Sequence, residues 1–335
     1  MLQACSSIKK PYSTILQSPP NIIKTSVGNV EVWKWEPPSS ITNKSKGDVY
    51  LIPGFPGSSL DNAVLAQKLL QNGYSIKLIN PPGHGKNEIN NNYWHFSFDQ
   101  YARALYESDR VLRNDLPASK SLTVVAHSAG AEMVFKGLLL QAKKEEIPKR
   151  LNIVLINPWL PSISNYPIPW TEDDKNILKY SSFLIKLFGP LSKEATYARL
   201  FSDPKDKQNT EYLAAHEKLT EDLNGWGGFD TRFVKLLKST TRSQKNILNQ
   251  GSNYSLSAKK LTQLRKKLHL VKMKIIIINS SNGNDKIIPT NYKLALNKAL
   301  KLKFPDINIR FLEIPKGGHM LQVEYPQQII DAITR

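Results

Sequence analysis

A strand pattern meets a helix pattern in the segment Val124-Val125-Ala126-His127-Ser128-Ala129-Gly130. Apolar residues precede the serine, as in a buried strand, and helical spacing begins directly after it. The segment nearly fits the G-x-S-x-G turn, in which a serine lies on a tight, strained connection between a strand and a helix. Neighbours two positions away must be small, and Ala126 and Gly130 satisfy this requirement. The sequence therefore predicts that the Ser128 hydroxyl is presented at a helix N-terminus.

Alternating strand and helix patterns extend on both sides of this turn. The predicted strands are Asn21–Lys24, Val30–Trp35, Asp48–Ile52, Tyr74–Ile79, Ser121–Ala126, Leu151–Ile156, Val271–Ile278 and Ile307–Ile314. The predicted helices are Leu60–Gln71, Phe98–Leu112, Ala129–Gln141, Thr290–Leu302 and one near Gln327–Thr334. Such alternation predicts an α/β fold with a mostly parallel, doubly wound sheet covered on both faces, and the first two strands suggest a hairpin.

The alternation stops after the sixth strand, where residues 158–270 are polar and helical in pattern with scattered aromatic residues. We expect residues 1–20 to be an N-terminal extension, 21–157 and 271–335 to be the core, and 158–270 to be an inserted helical cap. Aromatic cap residues either line an apolar substrate pocket or simply pack the cap onto the sheet. The candidate substrate-binding residues are His84, Trp159, Phe188 and Trp226.

A serine becomes a nucleophile only when a base accepts its proton, and the base needs an orienting carboxylate. His319 stands in a glycine-rich loop after the last predicted strand, and Asp285 follows the strand before it. Taken alone, Asp285 would be interpreted as an ordinary turn or N-cap residue. In open α/β sheets, however, sites form beyond the carboxyl ends of strands, which places both residues on the same edge as Ser128. We therefore predict a Ser128–His319–Asp285 triad.

A negatively charged intermediate would need backbone donors near the serine. The loop Gly54-Phe55-Pro56-Gly57 follows the third predicted strand, and its glycines and proline fix a turn whose N–H groups can face a ligand. The Phe55 and Ala129 N–H groups are the predicted oxyanion hole, aided by the dipole of the helix that starts there. A plain glycine–proline turn is the alternative.

At this point the sequence resembles the α/β-hydrolase superfamily over Asp48–Ile156 and Val271–Arg335. The matching motifs are Gly54-Phe55-Pro56-Gly57, Pro82-Gly83-His84-Gly85-Lys86, Ala126-His127-Ser128-Ala129-Gly130, Gly283-Asn284-Asp285 and Gly318-His319. The resemblance implies the same triad, with no metal or organic cofactor. Pro53 departs from the family pattern, which usually has a histidine there to support the oxyanion loop. The serine argues against the dehalogenases and epoxide hydrolases of the family, which use an aspartate.

The resulting functional expectation is a serine hydrolase that cleaves a carboxylic ester or related acyl compound. A peptidase that removes N-terminal residues or a carbon–carbon bond hydrolase would use the same triad, because fold and triad do not set the substrate. A peptidase would need a cap carboxylate for the amino terminus, with Glu172, Asp173 and Asp174 as candidates. A non-catalytic ligand-binding protein is the alternative from another class.

Composition limits the remaining classes. The chain has 335 residues with 46 basic and 28 acidic side chains, a formal net charge of +18, yet no nucleic-acid-binding module appears. Its one cysteine, Cys5, excludes a disulfide framework and a cysteine-built zinc site. We expect a cytoplasmic protein with possible peripheral membrane contact. The alternative is a lipoprotein anchored at Cys5, if the true start lies upstream and supplies an apolar segment.

Overall fold

The computed structural model describes residues 10–41, 45–54, 57–84, 98–113, 121–144, 146–164, 200–221, 258–268, 271–281 and 283–334. The strands are β1 Asn21–Lys24, β2 Asn29–Trp35, β3 Asp48–Ile52, β4 Ser75–Asn80, β5 Leu122–His127, β6 Arg150–Ile156, β7 Lys272–Ser280 and β8 Asn308–Ile314. The α-helices are α1 Pro11–Gln17, α2 Ala63–Gln71, α3 Phe98–Arg113, α4 Gly130–Lys144, α5 Pro161–Ser164, α6 Lys207–Glu221, α7 Ala258–Leu268, α8 Thr290–Lys303, α9 Leu321–Glu324 and α10 Pro326–Thr334.

These strands form one sheet in the order β1-β2-β4-β3-β5-β6-β7-β8. The β1–β2 and β2–β4 pairs are antiparallel, and all pairs from β4 to β8 are parallel. The predicted α/β class, the mostly parallel sheet and the hairpin are confirmed, with every strand within two residues of its predicted bounds. The carboxyl ends of β3 to β8 therefore share one edge of the sheet.

Two apolar layers cover the sheet because successive side chains of a strand point to opposite faces. On β5, Val124 and Ala126 join the layer beneath α3 and α4, whereas Val125 joins the layer beneath α2 and α10. All six residues of β5 are buried. A one-residue shift of β5 would move every side chain into the opposite, differently packed layer, so the register of β5 and the position of the residue that follows it are fixed.

The described part of the predicted N-terminal extension packs on the core. The aromatic ring of Tyr12 and the side chain of Ile15, both on α1, are buried in the layer that contains α2. The indole Nε1 of Trp33 donates to the Ser18 carbonyl at 2.9 Å, which ties the end of this segment to β2. Cys5 lies outside the described residues. Among the helices described, none is long and apolar enough to cross a membrane.

The predicted cap, residues 158–270, is described at 158–164, 200–221 and 258–268, so its boundaries stay a prediction. The segment Leu200–Glu221 packs on the core: Phe201, Tyr212 and Leu213 are buried in the same apolar layer as α2. The Tyr212 ring lies 6.2 Å from the Tyr12 ring, measured between centroids. This segment therefore bridges α1 and the helices that follow β8.

Candidate active site

Ser128 lies on a strained turn between β5 and α4. Its φ of 48° is in the left-handed region, which costs a non-glycine residue of order 1 kcal/mol or more. The Ser128 N–H donates to the Ile156 carbonyl at 2.9 Å, which holds the turn against the end of β6. A Cβ atom at Gly130 would lie 2.5 Å from the Pro53 carbonyl oxygen, so only glycine fits there. The turn has the tight geometry that the spacing around the serine requires.

His319 and Asp285 are hydrogen-bonded, with 3.1 Å between the imidazole Nδ1 and the carboxylate Oδ1. Both side chains are buried. Oδ1 also accepts the N–H groups of Ile287 and Ile288 at 2.9 Å each. Burial alone would raise the pKa of Asp285, but His319, Lys293 and the Ile288 N–H together hold it well below its usual range. The carboxylate therefore stays ionised and fixes the imidazole with Nδ1 as the donor.

Lys293 of α8 is a charged residue of this cluster that sequence reasoning missed. Its buried Nζ lies 3.0 Å from the second carboxylate oxygen of Asp285. Two hydrogen bonds fix the ammonium group, to the Ser280 carbonyl at 3.0 Å and to the Ser280 hydroxyl at 2.8 Å. Burial lowers the pKa of Lys293, while Asp285 and Glu313 oppose that shift. The two oxygens of Asp285 thus serve different partners, His319 and Lys293.

Asn157 directly follows β6 and connects three parts of the site. Sequence reasoning did not identify this residue either. Its Nδ2 donates to the Gly318 and His319 carbonyls at 3.0 Å each, and its Oδ1 accepts the Ser280 N–H at 2.9 Å. The residue has a φ of 39°, a conformation that asparagine tolerates better than most residues. Its place after a buried strand is the only sequence signal for this role.

His127 supports the same loop from β5. Its Nε2 lies 3.0 Å from the His319 carbonyl oxygen, so Nε2 carries the hydrogen and donates. Burial lowers the pKa of His127 to about 3, with the neighbouring His319 adding to the effect. His127 is consequently neutral at working pH. It acts on His319 through the backbone and not as a base for Ser128.

The inserted segment reaches the histidine loop from its other side. The backbone N–H groups of His319 and Met320 both donate to the Leu200 carbonyl, at 2.8 and 3.1 Å. Glu324 accepts the Gly318 N–H at 2.6 Å with one oxygen and the Ser202 N–H at 2.8 Å with the other. The loop that carries His319 is therefore held between Leu200 and Ser202 of the inserted segment and Glu324 of α9.

This enclosure predicts a large effect for Gly318→Ala. A Cβ atom at Gly318 would lie 2.6 Å from the Ser202 nitrogen and 2.9 Å from the Leu200 carbonyl oxygen, which are backbone atoms that cannot rotate away. We expect His319 to be displaced and kcat/KM to fall about 100-fold, because misplacement of a catalytic group by about 1 Å costs that much.

Gly137→Ala, within helix α4, is the matched control. Among the described residues, a Cβ at Gly137 would meet the Ala102 carbonyl oxygen of α3 at 3.7 Å, an ordinary van der Waals contact. Alanine in a helix interior stabilises by up to about 1 kcal/mol relative to glycine. We expect unchanged kcat/KM and an equal or higher melting temperature. Equal kcat/KM for both variants would show that the backbone contact at Gly318 does not position His319.

The loop predicted to form the oxyanion hole packs against the serine turn. Phe55 lies outside the described residues. A Cβ at Gly54 would lie 3.0 Å from the Ser128 Cβ and 2.7 Å from Nδ1 of His127, so the loop touches both residues. The Gly57 N–H donates to the Gly54 carbonyl at 2.8 Å, which closes a turn. Ala129 is buried directly before α4, so its backbone lies at the N-terminus of that helix.

A buried carboxylate supports this loop. Asp61 follows the turn, and its Oδ1 accepts the Tyr212 hydroxyl of α6 at 3.0 Å. Burial raises the pKa of Asp61 to about 7, against the lowering effect of its hydrogen bonds with Tyr212 and Ser58. Leu200–Glu221 thus reaches the loop after β3 as well as the loop of His319.

Two of the predicted substrate-binding residues, Trp159 and His84, are described, and a series of ring contacts connects them. The Trp159 ring is 4.8 Å from the Phe98 ring, which continues to Tyr101 at 6.1 Å and from there to His84 at 5.4 Å. Burial lowers the pKa of His84 to about 4. The other candidates lie outside the described residues: Phe188 and Trp226, and the carboxylates Glu172, Asp173 and Asp174.

Within the described ranges, no group of three histidine, cysteine, aspartate or glutamate side chains could hold a metal ion. The described residues at this edge of the sheet supply a serine hydroxyl, an imidazole and a carboxylate, with a lysine behind the carboxylate.

Comparison with solved structures finds the same architecture in several enzymes. An esterase from Exiguobacterium antarcticum is 13% identical with a TM-score of 0.61, covering 94% of this chain and 100% of that one. A soluble variant of monoglyceride lipase from Saccharomyces cerevisiae is 14% identical with a TM-score of 0.61, covering 98% and 95%. A haloalkane dehalogenase from Bradyrhizobium elkani is 13% identical with a TM-score of 0.58, covering 93% and 95%. At these identities the similarity shows the fold.

No curated protein matches the chain in sequence. The sequence model that describes the alpha/beta hydrolase fold matches residues 47–326, well over half of the chain. This range contains β3 to β8 and every residue of the Ser128, His319 and Asp285 cluster. The chain therefore belongs to the α/β-hydrolase family and is a hydrolase of that family.

Proposed function

We propose that the protein is a serine hydrolase that cleaves a carboxylic ester or related acyl substrate. The observation that carries this proposal is the hydrogen bond of 3.1 Å between His319 and Asp285, in loops that follow strands ending on the same edge as Ser128. His127 and Asn157 both bond the His319 backbone, which brings this loop against the end of β5 and β6. A serine, a base and an orienting carboxylate are the parts that acyl transfer needs.

In the proposed mechanism the Ser128 hydroxyl attacks the carbonyl carbon while His319 accepts its proton. Asp285, which stays ionised, stabilises the imidazolium that forms. The N–H of Ala129, with that of Phe55, binds the oxyanion of the tetrahedral intermediate. His319 then protonates the leaving alcohol, which leaves an acyl group on Ser128. Water, activated by His319, releases the acid and restores the serine.

The alternatives are an aminopeptidase-type or carbon–carbon bond hydrolase on the same triad, and a non-catalytic ligand-binding protein. The proposed substrate is a small acyl or lipid-like molecule. The net charge of +18 suits peripheral contact with anionic lipid, and a nucleic-acid partner is not proposed because the sequence contains no recognised nucleic-acid-binding module. Lipoprotein anchoring at Cys5 remains the alternative to a cytoplasmic location.

A substrate panel tests the reaction class. We expect purified protein to hydrolyse p-nitrophenyl esters of acetate to octanoate with a kcat/KM at least about 100-fold above that for aminoacyl p-nitroanilides. An ester has a better leaving group and needs no carboxylate to hold an amino terminus. The reverse preference would favour the peptidase, and no turnover of either series would favour the ligand-binding protein.

A further inference from the structure

The indole N–H of Trp159 is a buried donor that finds no acceptor among the described residues. Trp159 is only 6% exposed. Within the part of the chain that the structure describes, no acceptor lies at hydrogen-bond distance from its Nε1. Buried polar groups are nearly always paired, and an unpaired donor costs about 1–3 kcal/mol. A tryptophan that only packs against apolar neighbours would carry this cost with no hydrogen bond to offset it, whereas phenylalanine would provide the packing without the cost.

The position of Trp159 connects this donor with the nucleophile. Its backbone N–H donates at 3.0 Å to the carbonyl of Ser128 itself. Its ring packs at 4.8 Å on Phe98, the first residue of α3. Backbone and ring are therefore both fixed, so the indole is held in one orientation on a residue bonded to the serine turn and needs little reorganisation to bind an acceptor.

The chemistry of the group limits what it recognises. An indole N–H only donates, so its partner is an acceptor oxygen or nitrogen. The surrounding rings, from Trp159 through Phe98 and Tyr101, are apolar and suit a hydrocarbon chain. A substrate that satisfies both combines an apolar chain with one acceptor oxygen near the scissile bond.

We propose that Trp159 is a specificity-determining residue whose indole N–H binds an ether, hydroxyl or carbonyl oxygen of the substrate, so that the preferred esters are oxygen-substituted rather than plain alkyl. This proposal rests on the proposed esterase function. It narrows the substrate class to esters that carry a second hydrogen-bond acceptor in addition to the scissile ester group.

The test compares isosteric ester pairs in the wild type and in Trp159→Phe, which keeps an aromatic ring and removes the donor. On the acyl side the pair is p-nitrophenyl methoxyacetate and p-nitrophenyl butyrate. On the alcohol side it is 2-methoxyethyl acetate and butyl acetate. Each protein gives a ratio of kcat/KM for the oxygen-containing ester to that for the alkyl ester. Intrinsic reactivity and the fraction of folded enzyme cancel when the two ratios are divided.

We expect the wild-type ratio to exceed the Trp159→Phe ratio about tenfold in one of the two pairs, the value of one neutral hydrogen bond. Equal ratios in both pairs would overturn the proposal, leaving Trp159 a packing residue or one that binds water. Trp33→Phe, whose indole already donates to Ser18, is the control and should leave the ratios unchanged.

If Trp159→Phe is inactive, the wild type alone decides. A series of p-nitrophenyl hexanoates with an ether oxygen in place of carbon 3, 4 or 5 should show a kcat/KM maximum at a single position, after division by the rate of alkaline hydrolysis. A smooth trend along the series would reject the proposal. Loss of all turnover in the wild type would instead reject the esterase function, so the two failures are distinguishable.

Discussion

Replacing Ser128 by alanine is expected to lower kcat for ester hydrolysis by about 10⁴–10⁶-fold, the loss typical when the nucleophile of a triad is removed. The fold should be kept, because the turn around residue 128 is held by backbone bonds to Ile156 and Trp159 and not by the hydroxyl. Alanine also tolerates the positive φ no worse than serine does. KM should change little, since the hydroxyl acts mainly in the transition state.

A fluorophosphonate probe measures the same residue without a substrate. The wild type should be labelled at Ser128 within minutes and the Ser128→Ala variant should remain unlabelled, whereas the exposed Ser26→Ala control should label like the wild type. Equal labelling of wild type and Ser128→Ala would show that another residue is the nucleophile.

Asp285→Asn is expected to lower kcat/KM by about 10³–10⁴-fold. The amide oxygen can keep the place of Oδ1, which accepts His319 Nδ1 and two backbone N–H groups. The amide nitrogen then faces the Lys293 ammonium, which loses its counter-charge. The buried site thus carries an unbalanced positive charge that opposes formation of the imidazolium during proton transfer.

The double variant is expected to be more active than the single variant. Adding Lys293→Met to Asp285→Asn removes the unbalanced charge and should raise kcat/KM about tenfold above the single Asp285→Asn variant, so the two substitutions are not additive. Asp99→Asn removes an exposed partner of Lys136 and serves as the control with unchanged kcat/KM. A double variant no more active than Asp285→Asn would show that Lys293 acts only through packing.

The sheet could be predicted because its strands are long apolar runs separated by turns. In β5 and β7 every or nearly every residue is buried, so composition alone identifies them. Helix α1 was not predicted, since its seven residues show no clear period and their burial depends on Tyr212 and other residues distant in sequence.

The hydrogen-bonded His319–Asp285 pair could be anticipated because both residues follow strands whose ends share an edge. Lys293, Asn157 and Glu324 could not, because each acts through contacts set by the fold and has no local motif. Lys293, for example, resembles the other lysines of α8 in sequence, and only its orientation towards Ser280 makes it a buried partner of Asp285. Pattern reasoning identifies reacting groups more readily than the residues that hold them.

The bonds from Asn157 and Leu200 to the His319 loop bear on how this protein can be re-engineered. Asn157, directly before the predicted insertion, and Leu200, within it, both support the loop of the proposed general base. A chimaera that exchanges everything between β6 and β7 would discard both supports. A graft that keeps both Asn157 and Leu200 would retain the bonds to the His319 loop while other residues of the insertion are exchanged.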